Sequence, residues 1–359
     1  MVASRARVHV RLLTAAFLLP LLCASLGFAQ ETAGQRFDLK ARASKIDPRA
    51  KEHPEINFVF EKDGKPADLQ HACVDTRVKP RGELVIWLMG HSQPLAERVS
   101  GYGLHYIQVH YANGWFGKLN KEPPPAGQPY DEQRLGKIRL EAAIGQDVSE
   151  HIAIPQPDSI AERALQFVLH LQKTNPQGNW QQFVAPGGQS LDWDRVILAG
   201  ISHGSTTAAR FAKHQKVARV VMLSGPRDQY ENWQSLASAT PGNRYFGFTH
   251  VLDGGWTGDH YCRSWELLGL NTYGPVIDVD AVQPPFGNSR RLITNADVKK
   301  DAGRAHNASL PGGAAVKDAS GKFIHEEVWR YLFTHPVDKV GDAVPPSPDC
   351  RKDLRKKAS

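Results

Sequence analysis

The chain has 359 residues, is 41% hydrophobic and 23% charged, and carries a formal net charge of +7. Arg5, Arg7 and Arg11 account for three of those charges and the tail 351–357 for a net four, so the body between is close to neutral. A neutral body leaves no electrostatic footprint for nucleic acid, and four cysteines, no two at metal-ligand spacing, exclude a disulfide scaffold and a zinc site.

The N-terminus reads as a targeting segment. A basic start precedes the apolar run Leu12 to Leu26, and Gly27-Phe28-Ala29 offers small residues at the two positions a signal peptidase reads. The pattern predicts a secretory signal, residues 1–29, cleaved after Ala29, with an apolar core too short for a permanent span. Leu22 before Cys23 is not the small residue of a lipidation site. The expected destination is the periplasm or the exterior. There Cys73, Cys262 and Cys350 allow one bridge and one free thiol, with the pairing open.

Residues 30–81 read as a leader with an early strand, Ile56 to Phe60, and a hairpin turn at Asp63-Gly64. Glu83 to Met89 is a near-continuous apolar run closed by Gly90, as a strand buried on both faces requires. Tyr106 to Tyr111 is a further strand. Residues 113–157 interrupt the rhythm with Pro123-Pro124-Pro125 and a helix over Asp131–Ile144, and are read as an insertion above the sheet.

Alternation then resumes. Asp158-Ser159 caps a helix with Ile160, Ala164, Phe167, Val168 and Leu171 on one side, and Asn175-Pro176 ends it. Strands follow at 195–199, 218–223, 245–252 and 291–294, with helices at 203–214 and 326–333. Strand and helix in turn predict an α/β fold, a mostly parallel sheet covered on both faces. The domain is expected over 82–335, followed by a C-terminal tail, 336–359, whose basic end 351–357 reads as solvated.

Arg195-Val196-Ile197-Leu198-Ala199-Gly200-Ile201-Ser202-His203-Gly204 is the strongest chemical signal. It sets G-x-S-x-G between an apolar strand and a helix. So sharp a turn strains the serine backbone, and Gly200 and Gly204 remove side chains that would collide with strand or helix. The hydroxyl then stands above the carboxyl end of the sheet, with helix amides near a developing oxyanion. This run resembles the nucleophile elbow of the α/β-hydrolase superfamily, and motif order extends the resemblance over roughly residues 82–335, toward secreted bacterial hydrolases. His203 departs from the glutamine, methionine or glycine often found after the serine.

The resemblance implies a triad in the order serine, acid, histidine. His306, after the strand ending near Thr294 and before the last helix, holds the family position of the base, with His325 as the alternative. His214, on the helix after the serine, cannot reach back. Asp253 follows the strand from Tyr245 and is the expected acid, with Asp228 and Asp259 as alternatives. The amides of His203 and His91 are the expected oxyanion donors, His91 by likeness to the H-G-x turn after an early strand. No cofactor and no metal is called for.

Other signals point to structure. His105 and His110, five apart on a strand, face opposite sides and cannot share a metal. Asp278 and Asp280 read as a solvated turn in preference to a calcium site. Trp115, Phe116, Trp256 and Trp265 either line an apolar cleft or pack the insertion. Asn307-Ala308-Ser309 matches a glycosylation sequon by chance. The expected reaction is hydrolysis of a small-molecule or lipid-like carboxylic ester. A peptidase, thioesterase or acyltransferase would use the same triad. A non-catalytic binding protein on the same scaffold is opposed by the intact serine turn and a late histidine.

Overall fold

A computed structural model describes Met1, residues 34–120, 127–258 and 260–348, and Cys350. The expected signal segment, the triple proline, Asp259 and the basic tail lie outside the described residues. Everything below concerns the unit that starts at Gly34. Among the described residues no helix is long and apolar enough to cross a membrane.

The strands are β1 (Arg36–Arg42), β2 (Glu61–Lys62), β3 (Lys65–Pro66), β4 (Leu69–Asp75), β5 (Leu84–Leu88), β6 (His105–Gln108), β7 (Val196–Ile201), β8 (Arg219–Leu223), β9 (Tyr245–His250), β10 (Val276–Asp278) and β11 (Arg291–Thr294). The helices are α1 (Ala43–Ile46), α2 (Gln93–Gly101), α3 (Phe116–Leu119), α4 (Arg134–Ile144), α5 (Ile160–Thr174), α6 (His203–His214), α7 (Gly254–Thr257), α8 (His260–Leu267), α9 (Ala302–Ala308) and α10 (Glu326–Thr334). Nine strands form one sheet in the order β1-β4-β6-β5-β7-β8-β9-β11-β10. β4 is antiparallel to both its neighbours, and the pairs from β6 onward are parallel. This strand order is that of the α/β-hydrolase fold.

Burial on both faces explains the central strands. Every residue of β5, β7, β8 and β9 is buried. Side chains alternate across a strand, so β5 feeds two cores. Leu84, Ile86 and Leu88 pack with Phe167 and Val168 of α5 and Ala208 and Ala212 of α6. Val85 and Trp87 pack with Leu95 and Val99 of α2 and Trp329 and Leu332 of α10.

The early part of the chain corrects the expectation. Residues 36–42 and 69–75, read as leader, are paired strands of the main sheet, with Phe37 opposite Val74 and Leu39 opposite Ala72. The sheet therefore begins well before residue 82. Arg36-Phe37-Asp38-Leu39-Lys40-Ala41 alternates polar and apolar residues, which suits a strand with one face to solvent. The expected strand at 56–60 is replaced by a turn of 3-10 helix, Pro54–Ile56, and by Asn57 in the left-handed region. The hairpin does form at Asp63-Gly64, both with positive φ as a tight two-residue turn demands, but it joins β2 to β3.

The described part of the tail after α10 is held against the domain. The Arg290 guanidinium binds the carbonyls of Val337 and Lys339, both at 2.9 Å, and the Val344 amide donates to Asn271. Cys350 is disulfide-bonded to Cys262, and Cys73 is the buried free thiol.

Candidate active site

Ser202 stands between β7 and α6 with φ 55° and ψ −123°. A non-glycine residue in that region carries strain of about 1–3 kcal/mol and persists only where its surroundings hold it. Here the Ser202 amide donates to Leu223 of β8, and the Ser202 carbonyl accepts from the hydroxyls of Ser205 and Thr206. The two glycines are needed for the reason expected. A Cβ on Gly200 would lie 2.4 Å from the Gly204 carbonyl carbon, and one on Gly204 would lie 1.9 Å from the Leu88 carbonyl oxygen. The second approach seats the start of α6 against the end of β5. It thereby brings the loop 89–91, with His91, beside the serine turn.

Asp253 lies three residues beyond the end of β9 and caps α7, accepting from the Gly255 amide at 2.8 Å. The Tyr261 hydroxyl reaches both its oxygens at 3.2 and 3.3 Å. Its Oδ2 is 2.9 Å from Nδ1 of His306. Burial alone would raise the carboxyl. The His306 bond and charge, the Gly255 amide and Ser224 outweigh that and hold it below the ordinary carboxylate range. His306 sits on a short helix, α9, where an open loop was expected. Asp301 starts that helix by accepting from the amides of Gly303 and Arg304.

The fold joins this pair to the serine through the end of β8. Leu223 accepts the Ser202 amide, and the next residue, Ser224, donates its hydroxyl to the His306 carbonyl at 2.6 Å. Ser202 itself is half-buried, and among the described residues its hydroxyl makes no hydrogen bond to the His306 ring. With Nδ1 on Asp253, Nε2 lies at the opposite edge of the His306 ring.

The alternatives are engaged elsewhere. Asp228 is clamped by Arg139, with bonds of 2.6 and 3.0 Å between buried side chains. Asp259 lies outside the described residues. His325 is buried and its Nε2 faces Thr294 and Asp280. His250 turns its ring to the Ala296 carbonyl and the Leu252 amide. Asp278 accepts from the Asp280 amide, so those two aspartates form a local turn. His105 packs on Trp180 and Phe183, whereas His110 packs on Phe58. Trp115 and Phe116 press the insertion onto His203, and Trp265 is buried with its indole N–H on the Gly225 carbonyl.

Of the two expected oxyanion donors, His203 opens α6 and His91 lies in the loop after β5. The His91 ring stacks on His71, centroids 4.0 Å apart and 6° from parallel, and also meets Gln93. A groove of about 710 Å³ lies away from this site, beside Asp280 and His325. One of about 570 Å³ lies next to it, bounded by Met89, His91, Ile201, Asn307 and Leu310. Ser224 and Arg139 were not anticipated. A lone serine after a strand and a lone arginine in an insertion carry no sequence pattern.

No family model and no curated sequence matches the chain. Among solved structures it is similar to a sugar hydrolase from Lactococcus lactis, at 13% identity over 76% of this chain and 92% of that one, TM-score 0.34. It is similar to a serine hydrolase without a lid from Xanthomonas campestris, at 9% identity over 75% and 92%, TM-score 0.33. It is similar as well to a thermostable esterase from Pseudomonas putida, at 10% identity over 86% and 84%, TM-score 0.34. The strand order of the sheet, rather than these distant likenesses, defines the fold.

Proposed function

We propose that the protein is a serine hydrolase that cleaves a carboxylic ester through an acyl-enzyme, with Ser202 as nucleophile, His306 as base and Asp253 as its partner. The observation that carries this reading is the 2.9 Å bond between His306 Nδ1 and the buried Asp253, tethered beside a strained serine turn. A serine hydroxyl is a poor nucleophile at neutral pH and needs an adjacent base. In the reaction His306 Nε2 takes the proton as Ser202 Oγ attacks the ester carbonyl. The amides of His203 and His91 receive the oxyanion, and the imidazolium returns the proton to the leaving alcohol. Water then attacks the acyl-enzyme by the same steps and frees Ser202. Export by the N-terminal signal belongs to the same proposal.

The test is labelling with a fluorophosphonate probe, together with hydrolysis of p-nitrophenyl esters. Wild type is expected to label and turn over, and Ser202→Ala to do neither. Equal labelling of both proteins would overturn the assignment.

A further inference from the structure

One guanidinium links the insertion to the residue that follows the nucleophile. Arg139, on α4, is fully buried. Its Nε and Nη2 hold both oxygens of Asp228, which lies in the loop after β8. Its Nη1 contacts His203 twice, at 2.7 Å to ring Nδ1 and 3.1 Å to the backbone carbonyl, and reaches the Thr207 hydroxyl at 3.0 Å. The guanidinium also lies 5.1 Å from the Trp115 ring centroid and 5.7 Å from that of Phe116.

These contacts determine the state of His203. A guanidinium only donates, so Nδ1 accepts and the ring proton resides on Nε2. Burial first, and then the Arg139 charge, push the His203 pKa well below its ordinary value, so the ring is neutral. The insertion is itself anchored. Glu231 accepts from the amides of Leu135 and Gly136 at the start of α4, at 2.7 and 3.0 Å, and from the Tyr130 hydroxyl at 3.0 Å. Arg139 therefore projects from a fixed helix and grips both the ring and the carbonyl of His203.

We propose that Arg139 is a positioning residue of the reaction. It holds the start of α6 so that the His203 amide meets the developing oxyanion. This rests on the serine-hydrolase reading above. An amide that drifts from its target stabilises the transition state less and leaves ester binding almost unchanged. The expected signature is thus a fall in kcat at nearly constant KM.

The experiment compares wild type with Arg139→Lys and with the double variant Arg139→Met/Asp228→Leu. The lysine keeps a cation against Asp228 without the fork. The double variant removes both charges, a replacement that buried ion pairs commonly tolerate without loss of stability. On p-nitrophenyl acetate, kcat is expected to fall by about 10²-fold, as for a lost oxyanion donor, with KM changed by less than about 3-fold. Inhibition by an alkylboronic acid, which forms a tetrahedral adduct on Ser202, is expected to weaken by the same factor as kcat/KM.

Wild-type kcat and boronate affinity in either folded variant would overturn the proposal. So would a loss confined to unfolded variants, which marks a packing role alone. Absence of wild-type turnover and fluorophosphonate labelling would instead remove the hydrolase reading on which it rests.

Discussion

Two hydrogen bonds hold His306, one donated by its ring to Asp253 and one accepted by its carbonyl from Ser224, and they do different work. The first selects the tautomer, since an ionised carboxylate only accepts and therefore keeps the proton on Nδ1. Asp253→Asn permits the opposite tautomer, and its kcat on a p-nitrophenyl ester is expected to fall about 10³–10⁴-fold with the fold intact. The carboxyl also contributes to stability. It titrates lower in the folded chain than in the unfolded one, so the unfolded chain takes up this proton first as pH falls. The contribution is present above the ordinary carboxylate range and is lost as pH drops through the folded value. Denaturant midpoints of wild type and Asp253→Asn are expected to converge as the pH is lowered below the ordinary carboxylate value of 3.8.

At the scale of elements, the turn between β7 and α6 leaves no space for a methyl group at Gly204. Its Cβ would meet the backbone of Leu88, which cannot move without unpairing β5. Gly204→Ala is expected to cost on the order of 3 kcal/mol of stability and to abolish labelling of Ser202, read by chemical denaturation and the fluorophosphonate probe. A milder case is the N-cap of α5, where the Ser159 hydroxyl accepts from the Glu162 amide. Ser159→Ala is expected to cost about 1 kcal/mol, measured by the shift of the denaturant midpoint, and to leave turnover alone. Both sites were legible in the sequence, because a glycine pair around a serine and a serine before an apolar helix have local causes. The central strands were legible for the same reason, since burial on both faces writes an unbroken apolar run. β1 and β4 were obscured, because β1 lies at the sheet edge with polar residues alternating and β4 buries the polar Gln70 and Asp75 beside its apolar residues. The Asp253–His306 pair was recoverable only through the resemblance to the motif order of the α/β-hydrolase superfamily, while the Arg139–Asp228 clamp joins positions 89 residues apart and left no trace in spacing.

Across the molecule, buried and half-buried histidines oppose acid. Burial lowers the His105 pKa to about 4, and burial with the nearby Arg163 charge lowers that of His110 to about 3. Burial and the His91 charge bring His71 to about 4. In the unfolded chain these rings protonate near the ordinary value of 6.5. As pH falls below that value the unfolded state binds protons that the folded state refuses, so stability is full above it and declines toward pH 4. The buried His105 ring weakens the fold by up to about 1.4 kcal/mol per pH unit across that window, and the solvent-screened His71 ring by less. Tm is therefore expected to drop steadily between pH 7 and pH 4.5, before most carboxylates titrate. The His105 ring packs edge-on against Trp180 and Phe183 and meets the Gly178 carbonyl, so His105→Phe removes one titrating group and keeps the aromatic packing. Its Tm is expected to fall less steeply with acid than that of wild type. Parallel Tm–pH curves for the two proteins would show that the His105 ring takes up its proton equally in the folded and unfolded states.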